Sequence, residues 1–167
     1  PDSKIKQISR YGDAGPGPKG SVMTVGFTLA GSEYIALNGG PHFKFTEAIS
    51  LQVRCKDQDE VDYYWDKLSA DGDPKAQVCG WLKDKYGMSW QIVPEIVPQL
   101  LGDHTSPNSQ RAMAEMMSQK KPDIAAMQKA DSSDPAKYLP ELQKISYNGA
   151  TGKVEFDEKG DRKNAEI

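Results

Sequence analysis

Few residues in this chain are of the types that carry out chemistry. Its two histidines, His42 and His104, fall in predicted loops, and no carboxylate accompanies either one at a metal-ligand spacing. The two cysteines, Cys55 and Cys79, lie in strand-like runs with 23 residues between them, which is not a zinc-binding pattern. No base accompanies Cys79 in the local sequence, as a nucleophile would require. We therefore predict exposed histidines and packed, reduced thiols in a cytoplasmic protein.

A glycine pattern between the first two predicted strands is the next candidate for chemistry. Gly15, Gly17 and Gly20 match G-x-G-x-x-G, a spacing with which backbone amides bind phosphate at the start of a helix. Pro16 and Pro18 remove two amide donors, and the pattern that follows predicts a strand instead of a helix. The sequence therefore argues against a nucleotide site and against a glycine-rich S-adenosylmethionine site.

The overall composition excludes several classes of partner. The chain has 21 basic and 24 acidic residues and a net charge of −3, which leaves no surplus of positive charge for nucleic acid. No apolar run approaches the length of a membrane span, and no signal-peptide pattern precedes the first predicted strand. The sequence begins at Pro1, so we expect that a preceding segment was either removed or is missing.

The elements that would position functional side chains are predicted from alternation and from chain breakers. Four strands are predicted, at 3–11, 21–31, 32–40 and 49–55. A tight turn at Gly31–Ser32 joins the second strand to the third. Helical spacing predicts a helix over Asp57–Gly72, and a hairpin with its turn at 83–87 follows over Ala76–Pro94. Residues Pro41–Ala48 therefore join a first half made of strands to a second half with the order strand, helix, strand, strand.

Short helices are predicted after this second half. Residues 98–103 form a helical turn that ends at Gly102, and a helix begins at Ser106-Pro107 and is interrupted at Pro122. The apolar stripe predicted on this helix consists of Ala112, Met113, Met116 and Met117. We interpret the stripe as a packing surface, against the sheet or a partner subunit, and not as a cofactor site.

Five segments together resemble a known family. They are YGDAGPGPKGSVM, FTLAG, ALNGGPHFKFTEAISLQVRC, DQDEVDYYWDKLS and CGWLKDKYGMSWQIVP. These segments resemble the PhnB-like branch of the vicinal oxygen chelate superfamily, which includes glyoxalase I, bleomycin-resistance proteins and extradiol dioxygenases. The resemblance covers about residues 1–130. It implies an α+β fold of paired βαβββ modules whose sheets curl around a ligand cavity, usually completed as a homodimer.

The resemblance also implies a division of the chain into domains. Residues 1–130 correspond to the PhnB-like domain, with a partial first module (1–47), a second module (48–94) and C-terminal helices (95–130). Members of the branch normally begin with a strand and a helix before FPDSKI, whereas this chain begins at PDSKI. The first module is therefore predicted to be truncated at its N-terminus.

The tail, residues 131–167, departs from the family pattern. Its phrase GATGKVEFDEKGDR resembles part of the C-terminal region of periplasmic branched-chain amino acid binding proteins. The tail is then either the second part of a chimera or a natural extension. We predict one short strand, Lys153–Phe156, and expect Val154 and Phe156 to dock it on the main domain in place of the missing strand. The alternative is a disordered appendage, with a second subunit closing the open edge.

The resemblance finally implies where a ligand would bind. Metal-binding members of the superfamily use His and Glu side chains that point into the cavity, whereas the corresponding strands here offer Asn38, Ser50, Gln52 and Gln91. Amides and hydroxyls are poor ligands for a transition metal, so we predict neither a metal nor a cofactor. Neutral polar and aromatic side chains would line the cavity instead: Asn38, Phe45, Gln52, Trp81, Trp90 and Gln91. Alternatively, each of them satisfies neighbouring backbone groups.

Three functions are compatible with this sequence. The first is a metal-independent small-molecule-binding protein of the glyoxalase and bleomycin-resistance type. The second is an enzyme of the superfamily that acts on an unknown small substrate, and the third is a chimeric or artificial scaffold without activity. Proteins of this branch are sometimes named ubiquinone methyltransferases, a name that the proline-interrupted glycine pattern does not support. We predict the first function, with an unknown small molecule and a second copy of the chain as partners.

Overall fold

The computed structural model describes residues 2–142, 146–149, 152–155 and 158. The chain divides into two compact units, Pro1–Lys44 and Phe45–Ile167. The sequence prediction places the module boundary between residues 47 and 48, three residues further along the chain. No helix in the described ranges has the length and apolar character needed to cross a membrane.

The first unit contains a three-stranded antiparallel sheet. Its strands are β1 (Lys4–Arg10), β2 (Val22–Leu29) and β3 (Ser32–Leu37), with β2 in the centre. Leu29 pairs with Ser32, so the hairpin loop consists of Ala30 and Gly31, whose φ angles are 48° and 82°. A two-residue turn with positive φ at both positions matches the twist of the flanking strands. The predicted hairpin is therefore confirmed, with its turn one residue earlier than expected.

The second unit begins with the predicted order of strand, helix, strand, strand. Strand β4 (Ser50–Cys55) leads into α1 (Gln58–Ser69), a 3₁₀ turn follows at Pro74–Ala76, and β5 (Trp81–Lys83) and β6 (Ser89–Pro94) complete the sheet. The sheet order is β4-β6-β5, with β4 parallel to β6 and β5 antiparallel to it. This mixed α+β architecture is the fold class that the sequence predicted.

Helix α1 covers one face of this sheet and forms the main core with it. The buried residues of this core are Cys55, Val61, Trp65, Leu82 and Ile92. The helix begins where Asp57 caps it, since its carboxylate accepts a hydrogen bond from the Glu60 amide at 3.0 Å. The core side chains of β4, β5 and β6 alternate with a second set that points to the opposite face of the sheet.

Four helices follow the sheet. They are α2 (Val97–Leu101), α3 (Pro107–Ser118), α4 (Ile124–Asp131) and α5 (Pro135–Leu142). Leu100, Ala112 and Met127 form a second core between α2, α3 and α4. The predicted methionine stripe on α3 is wrong in part, because Met117 is 42% exposed and the buried positions of α3 are Ser109, Ala112, Ala114 and Glu115. Spacing defines the width of an apolar stripe, but the neighbouring helices decide how the helix is rotated.

The described part of the tail contains a short hairpin. Strand β7 (Ser146–Gly149) pairs with β8 (Gly152–Glu155) in an antiparallel two-stranded sheet. A strand was predicted here at Lys153–Phe156, and in the described residues it is paired with β7; the docking of the tail on the main domain stays a prediction. Pairing with a neighbour in sequence closes a much shorter loop and costs less chain entropy. Phe156 and the side chain of Val154 lie outside the described residues.

Candidate functional site

Three of the predicted ligand-binding residues lie side by side on the sheet of the second unit. Gln52 of β4 pairs in register with Gln91 of β6, and Gln91 pairs in register with Trp81 of β5. Residues that are paired across strands project to the same face of a sheet. We call this face, which is opposite to α1, the polar face. Its members are Ser50, Gln52 and Arg54 of β4, Trp81 and Lys83 of β5, and Ser89 and Gln91 of β6.

The polar groups of this face are oriented by contacts with one another. The Gln91 amide donates a hydrogen bond from Nε2 to Oγ of Ser50 at 2.7 Å. Arg54 donates from Nε to Oε1 of Gln52 at 3.5 Å, which is at the long limit of a hydrogen bond. The first contact orients the Gln91 amide, while the exposed amide of Gln52 keeps its hydrogen-bonding groups available to a ligand.

The row next to the glutamines contains Ser50, Ser89 and Lys83, again paired in register. Ser89 is only 1% exposed, and its hydroxyl has no hydrogen-bond partner in the described part of the chain. Lys83 forms an ion pair with Glu47, which lies in the turn that precedes β4. The hydrogen bond from Lys83 lowers the pKa of Glu47 below its ordinary value. A buried hydroxyl without a partner is uncommon in proteins and needs an explanation.

A cleft of about 580 Å³ opens where β4 and β6 end. Gln52 and Arg54 form one wall, and residues 93–95 with Val97 and Pro98 at the start of α2 form the other. The cleft therefore continues the polar face toward the ends of the two parallel strands. Its volume is within the range of pockets that hold small molecules.

A second cavity, of about 640 Å³, lies between α1 and the segment around Pro122. Its polar groups already bond to one another: Lys121 pairs with Asp62 at 2.8 Å, and Gln58 donates to Asp62 at 3.0 Å. The hydrogen bond from Lys121 is the largest cause that lowers the pKa of Asp62, and the same contact raises the pKa of Lys121. The pair of Lys121 with Asp62 holds the segment before α4 against α1, so this cavity is the weaker candidate.

The other three predicted ligand-binding residues are in different surroundings. Trp90 of β6 lies on the α1 side of the sheet, where it packs against the main core. Asn38 follows β3 in the first unit, where its side-chain amide donates to the carbonyl of Val22 at 3.1 Å and its backbone amide donates to Met23 at 2.8 Å. Its side chain therefore satisfies backbone groups next to the first sheet. Phe45 is the first residue of the second unit and is 61% exposed. None of the three is a member of the polar face, and their roles in binding stay predictions.

The glycine pattern surrounds a tyrosine. Tyr11 is 8% exposed, and its hydroxyl donates to the carbonyl of Asn38 at 2.7 Å. A Cβ atom at Gly15 would lie 2.6 Å from Cδ1 of this ring, and one at Gly17 would lie 2.5 Å from its Cδ2. These distances are far inside van der Waals contact, so the loop needs glycine at both positions in order to approach the ring. The glycines therefore have a packing role, which agrees with the sequence-based argument against a phosphate site.

The remaining chemically active side chains are exposed histidines and protonated thiols. His42 and His104 both lie in exposed turns, as predicted. Burial raises the pKa of the Cys55 thiol to about 11, and burial also raises the pKa of Cys79. Sγ of Cys79 lies 3.5 Å from Sδ of Met117. Since the reactive form of cysteine is the thiolate, both side chains suit packing better than nucleophilic chemistry.

The same residues offer few ligands for a metal ion. In the described ranges, no group of three or more His, Cys, Asp and Glu side chains is arranged to hold a metal ion. The donors on the polar face are amides, hydroxyls and cations, which do not match the preferences of a divalent transition metal.

The mixed α+β fold is consistent with the vicinal oxygen chelate class that the sequence motifs implied. A family model described as 3-demethylubiquinone-9 3-methyltransferase matches residues 1–93. That match covers more than half of the 167 residues, so the chain belongs to this family, the PhnB-like one that the sequence motifs indicated. The match ends within β6, and the resemblance of the tail to periplasmic binding proteins stays a prediction.

Solved structures agree with this assignment by sequence. A Bacillus cereus protein, described as a candidate 3-demethylubiquinone-9 3-methyltransferase and PhnB protein, is 40% identical over 55% of this chain and 79% of its own, with a TM-score of 0.47. A Staphylococcus aureus protein is 31% identical over 56% of this chain and 76% of its own, with a TM-score of 0.23. The relationship rests on the identities and not on the superpositions. No curated protein matches the chain.

Sequence reasoning missed Arg54 and Lys83 as members of the site. Alternation along β4 already placed Arg54 beside Gln52 and Ser50, so the signal was present. Lys83 was assigned to the hairpin turn, but it is the last residue of β5. Its place beside Ser89 follows from strand register, which the sequence did not reveal.

Proposed function

We propose that this chain is a small-molecule-binding protein that needs no metal ion, and that its ligand lies on the polar face. The observation that supports the proposal is the row Gln52–Gln91–Trp81, in which two amides and an indole share one face across three strands. Amides recognise donors and acceptors without ionising, and an indole offers a large apolar surface for a ring. The adjacent cleft of about 580 Å³ gives a ligand room beyond the sheet surface.

The family description names a methyltransferase, which would need a binding segment for a methyl donor such as S-adenosylmethionine. The segment that would bind it, Gly15–Gly20, contains two prolines without amide hydrogens and closes tightly on Tyr11. This segment therefore does not fit the cofactor, and binding without cofactor chemistry is the better-supported function.

The proposal is tested by screening the full chain, treated with a chelator, for ligands. Thermal shift against a panel of neutral and charged aromatic compounds identifies binders, and titration calorimetry measures their affinities. We expect Gln52→Leu to weaken binding about tenfold, because one hydrogen bond to the ligand is lost. Gln7→Leu is the matched control, since Gln7 is an exposed strand glutamine in the first unit.

Two results would overturn this function. The first is a panel in which no compound stabilises the protein, and the second is binding that disappears when metal is removed and returns when it is restored. Equal affinity before and after chelation, together with loss in Gln52→Leu alone, would support it.

We also propose that the chain forms a homodimer through apolar residues of the first unit. Ile35 and Leu37 lie on one face of β3 and are 77% and 68% exposed, and neighbouring exposed apolar side chains of this kind are typical of an interaction surface. Sedimentation velocity should give twice the monomer mass, and Ile35→Lys should shift the equilibrium toward the monomer. A monomer at all concentrations tested would contradict the proposal.

A further inference from the structure

The polar face carries formal charge of one sign on its strands. Arg54 lies on β4 and Lys83 on β5, while the carboxylates close to the face, Glu47 and Glu95, come from segments outside the strands. A cation on a sheet surface beside oriented amides favours an anionic ligand over a neutral or cationic one. This positive charge is a separate observation from the neutral hydrogen bonds on which the proposed function is based.

Lys83 is the more enclosed of the two cations. Its side chain is 24% exposed, whereas that of its ion-pair partner Glu47 is 67% exposed. The carboxylate of Glu47 therefore approaches a partly buried cation from solvent. Ion pairs with an exposed partner are weak, so another carboxylate or a phosphonate can replace Glu47 at little cost.

Ser89 supplies a second observation at the same place. It pairs in register with Lys83, it is 1% exposed, and its hydroxyl has no partner in the described ranges. On its other side it pairs with Ser50, whose hydroxyl accepts a hydrogen bond from Gln91. A donor left without an acceptor, next to a cation, is an arrangement that an anionic oxygen would satisfy.

We infer that the polar face binds the anionic group of an aromatic carboxylate or phosphonate at Lys83 and Ser89, and that Glu47 occupies this position when the ligand is absent. The inference rests on the proposed function and adds the chemical class of the ligand. The ligand's ring then lies along the Gln91 and Trp81 row. Glu47 therefore competes with the ligand for Lys83, and a weaker Lys83–Glu47 ion pair should give a higher ligand affinity.

The experiment uses three probes of similar shape, namely benzoate, phenylphosphonate and the neutral benzamide. Titration calorimetry on the full chain compares wild type with Glu47→Gln, which removes the competitor and retains the size of the side chain. We expect Glu47→Gln to bind the two anions about three- to fivefold more tightly, since an exposed ion pair no longer competes. Its affinity for benzamide should not change. The matched control is Glu33→Gln, because Glu33 forms a similar exposed ion pair with Lys6 in the first unit.

The cation is tested by a second pair of variants. Lys83→Met should weaken anion binding about tenfold or more, because a charge-assisted hydrogen bond is lost, and Lys83→Arg should restore most of it. Melting curves show whether each variant is folded. If Lys83→Met does not fold, the comparison of Glu47→Gln with Glu33→Gln still decides the question.

The outcomes separate this inference from the proposed function. Unchanged anion affinity in Glu47→Gln, or equal binding of benzoate and benzamide by wild type, would overturn the inference. If Gln52→Leu still weakened the binding of a ligand from the panel, the proposed function would survive that result. A panel without any binder would overturn both.

Discussion

Replacing Gly17 by alanine should destabilise the first unit, because the new methyl group would collide with the ring of Tyr11. The added Cβ would lie 2.5 Å from Cδ2 and 2.9 Å from Cζ of the ring, where about 3.5 to 4 Å is the ordinary contact distance. Tyr11 is 8% exposed and its hydroxyl is hydrogen-bonded to Asn38, so the ring has little freedom to withdraw. Overpacking of this kind costs about 1–3 kcal/mol.

The assay must report on the first unit alone. All three tryptophans, Trp65, Trp81 and Trp90, lie in the second unit, so their fluorescence does not follow the first one. Hydrogen exchange of the amides in β2 measures the local free energy of opening instead. We expect the protection of these amides to fall by about 1–3 kcal/mol in Gly17→Ala, while tryptophan fluorescence reports an unchanged second unit.

Two further variants isolate the cause. Gly12→Ala is the matched control, because a Cβ at Gly12 would meet no atom within 4 Å and its φ is not positive. In a Tyr11→Ala background, where the ring is gone, Gly17→Ala should cost almost nothing. If Gly17→Ala were as costly without the ring as with it, Tyr11 would not be the reason for the glycine.

Three further predictions concern stability. Asp84→Ala should lower the free energy of unfolding by about 2–3 kcal/mol, since the Asp84 carboxylate accepts three hydrogen bonds, including one from Trp90. Urea titrations followed by fluorescence measure this change, and an unchanged midpoint would contradict it. The free energy of unfolding should fall as pH rises from 9.0 through about 11, because the pKa of Cys55 is raised in the folded state and the unfolded thiol loses its proton first. Cys55→Ala should remove the part of this fall that the thiol causes. An identical pH profile in wild type and Cys55→Ala would count against the prediction. Arg111→Met should lower the free energy of unfolding by about 1–3 kcal/mol, because Arg111 donates a hydrogen bond to the carbonyl of Ala130 at 3.1 Å, near the end of α4, and this acceptor would lose it. Unaltered thermal melting would show that Arg111 does not stabilise this helix end.

The glutamine row illustrates how far the sequence reaches. Alternation along β4 predicted that Gln52 points away from the apolar set, and a short-range pattern is enough for that, whereas the family resemblance placed Gln91 in the cavity. Their pairing with each other and with Trp81 depends on which strands are neighbours and in which register. Those facts are set by how α1 packs on the sheet, and no local pattern contains them.

Other differences have the same origin. The hairpin turn was placed at Gly31–Ser32, whereas the twist of the strands requires Ala30 and Gly31. Lys83 was assigned to a turn because hairpin ends are the least certain positions to assign from sequence, and that one residue removed a cation from the predicted site. The glycine pattern was correctly set aside on the grounds of its prolines, but its positive role became visible only with the ring of Tyr11 between the glycines.

The two sheets also differ in the sequence separation of their paired strands. In the first sheet every pairing joins consecutive strands, and β2 and β3 are separated by only two residues. In the second sheet, Ser50 at the start of β4 pairs with Ser89 about 40 positions later in the sequence, and α1 and β5 lie between them. Because closing a long loop costs entropy before any contact compensates for it, the parallel pairing of β4 with β6 should form late. The polar face would then be the last part of the sheet to be assembled, and one edge of β6 would stay unpaired until β4 joins it.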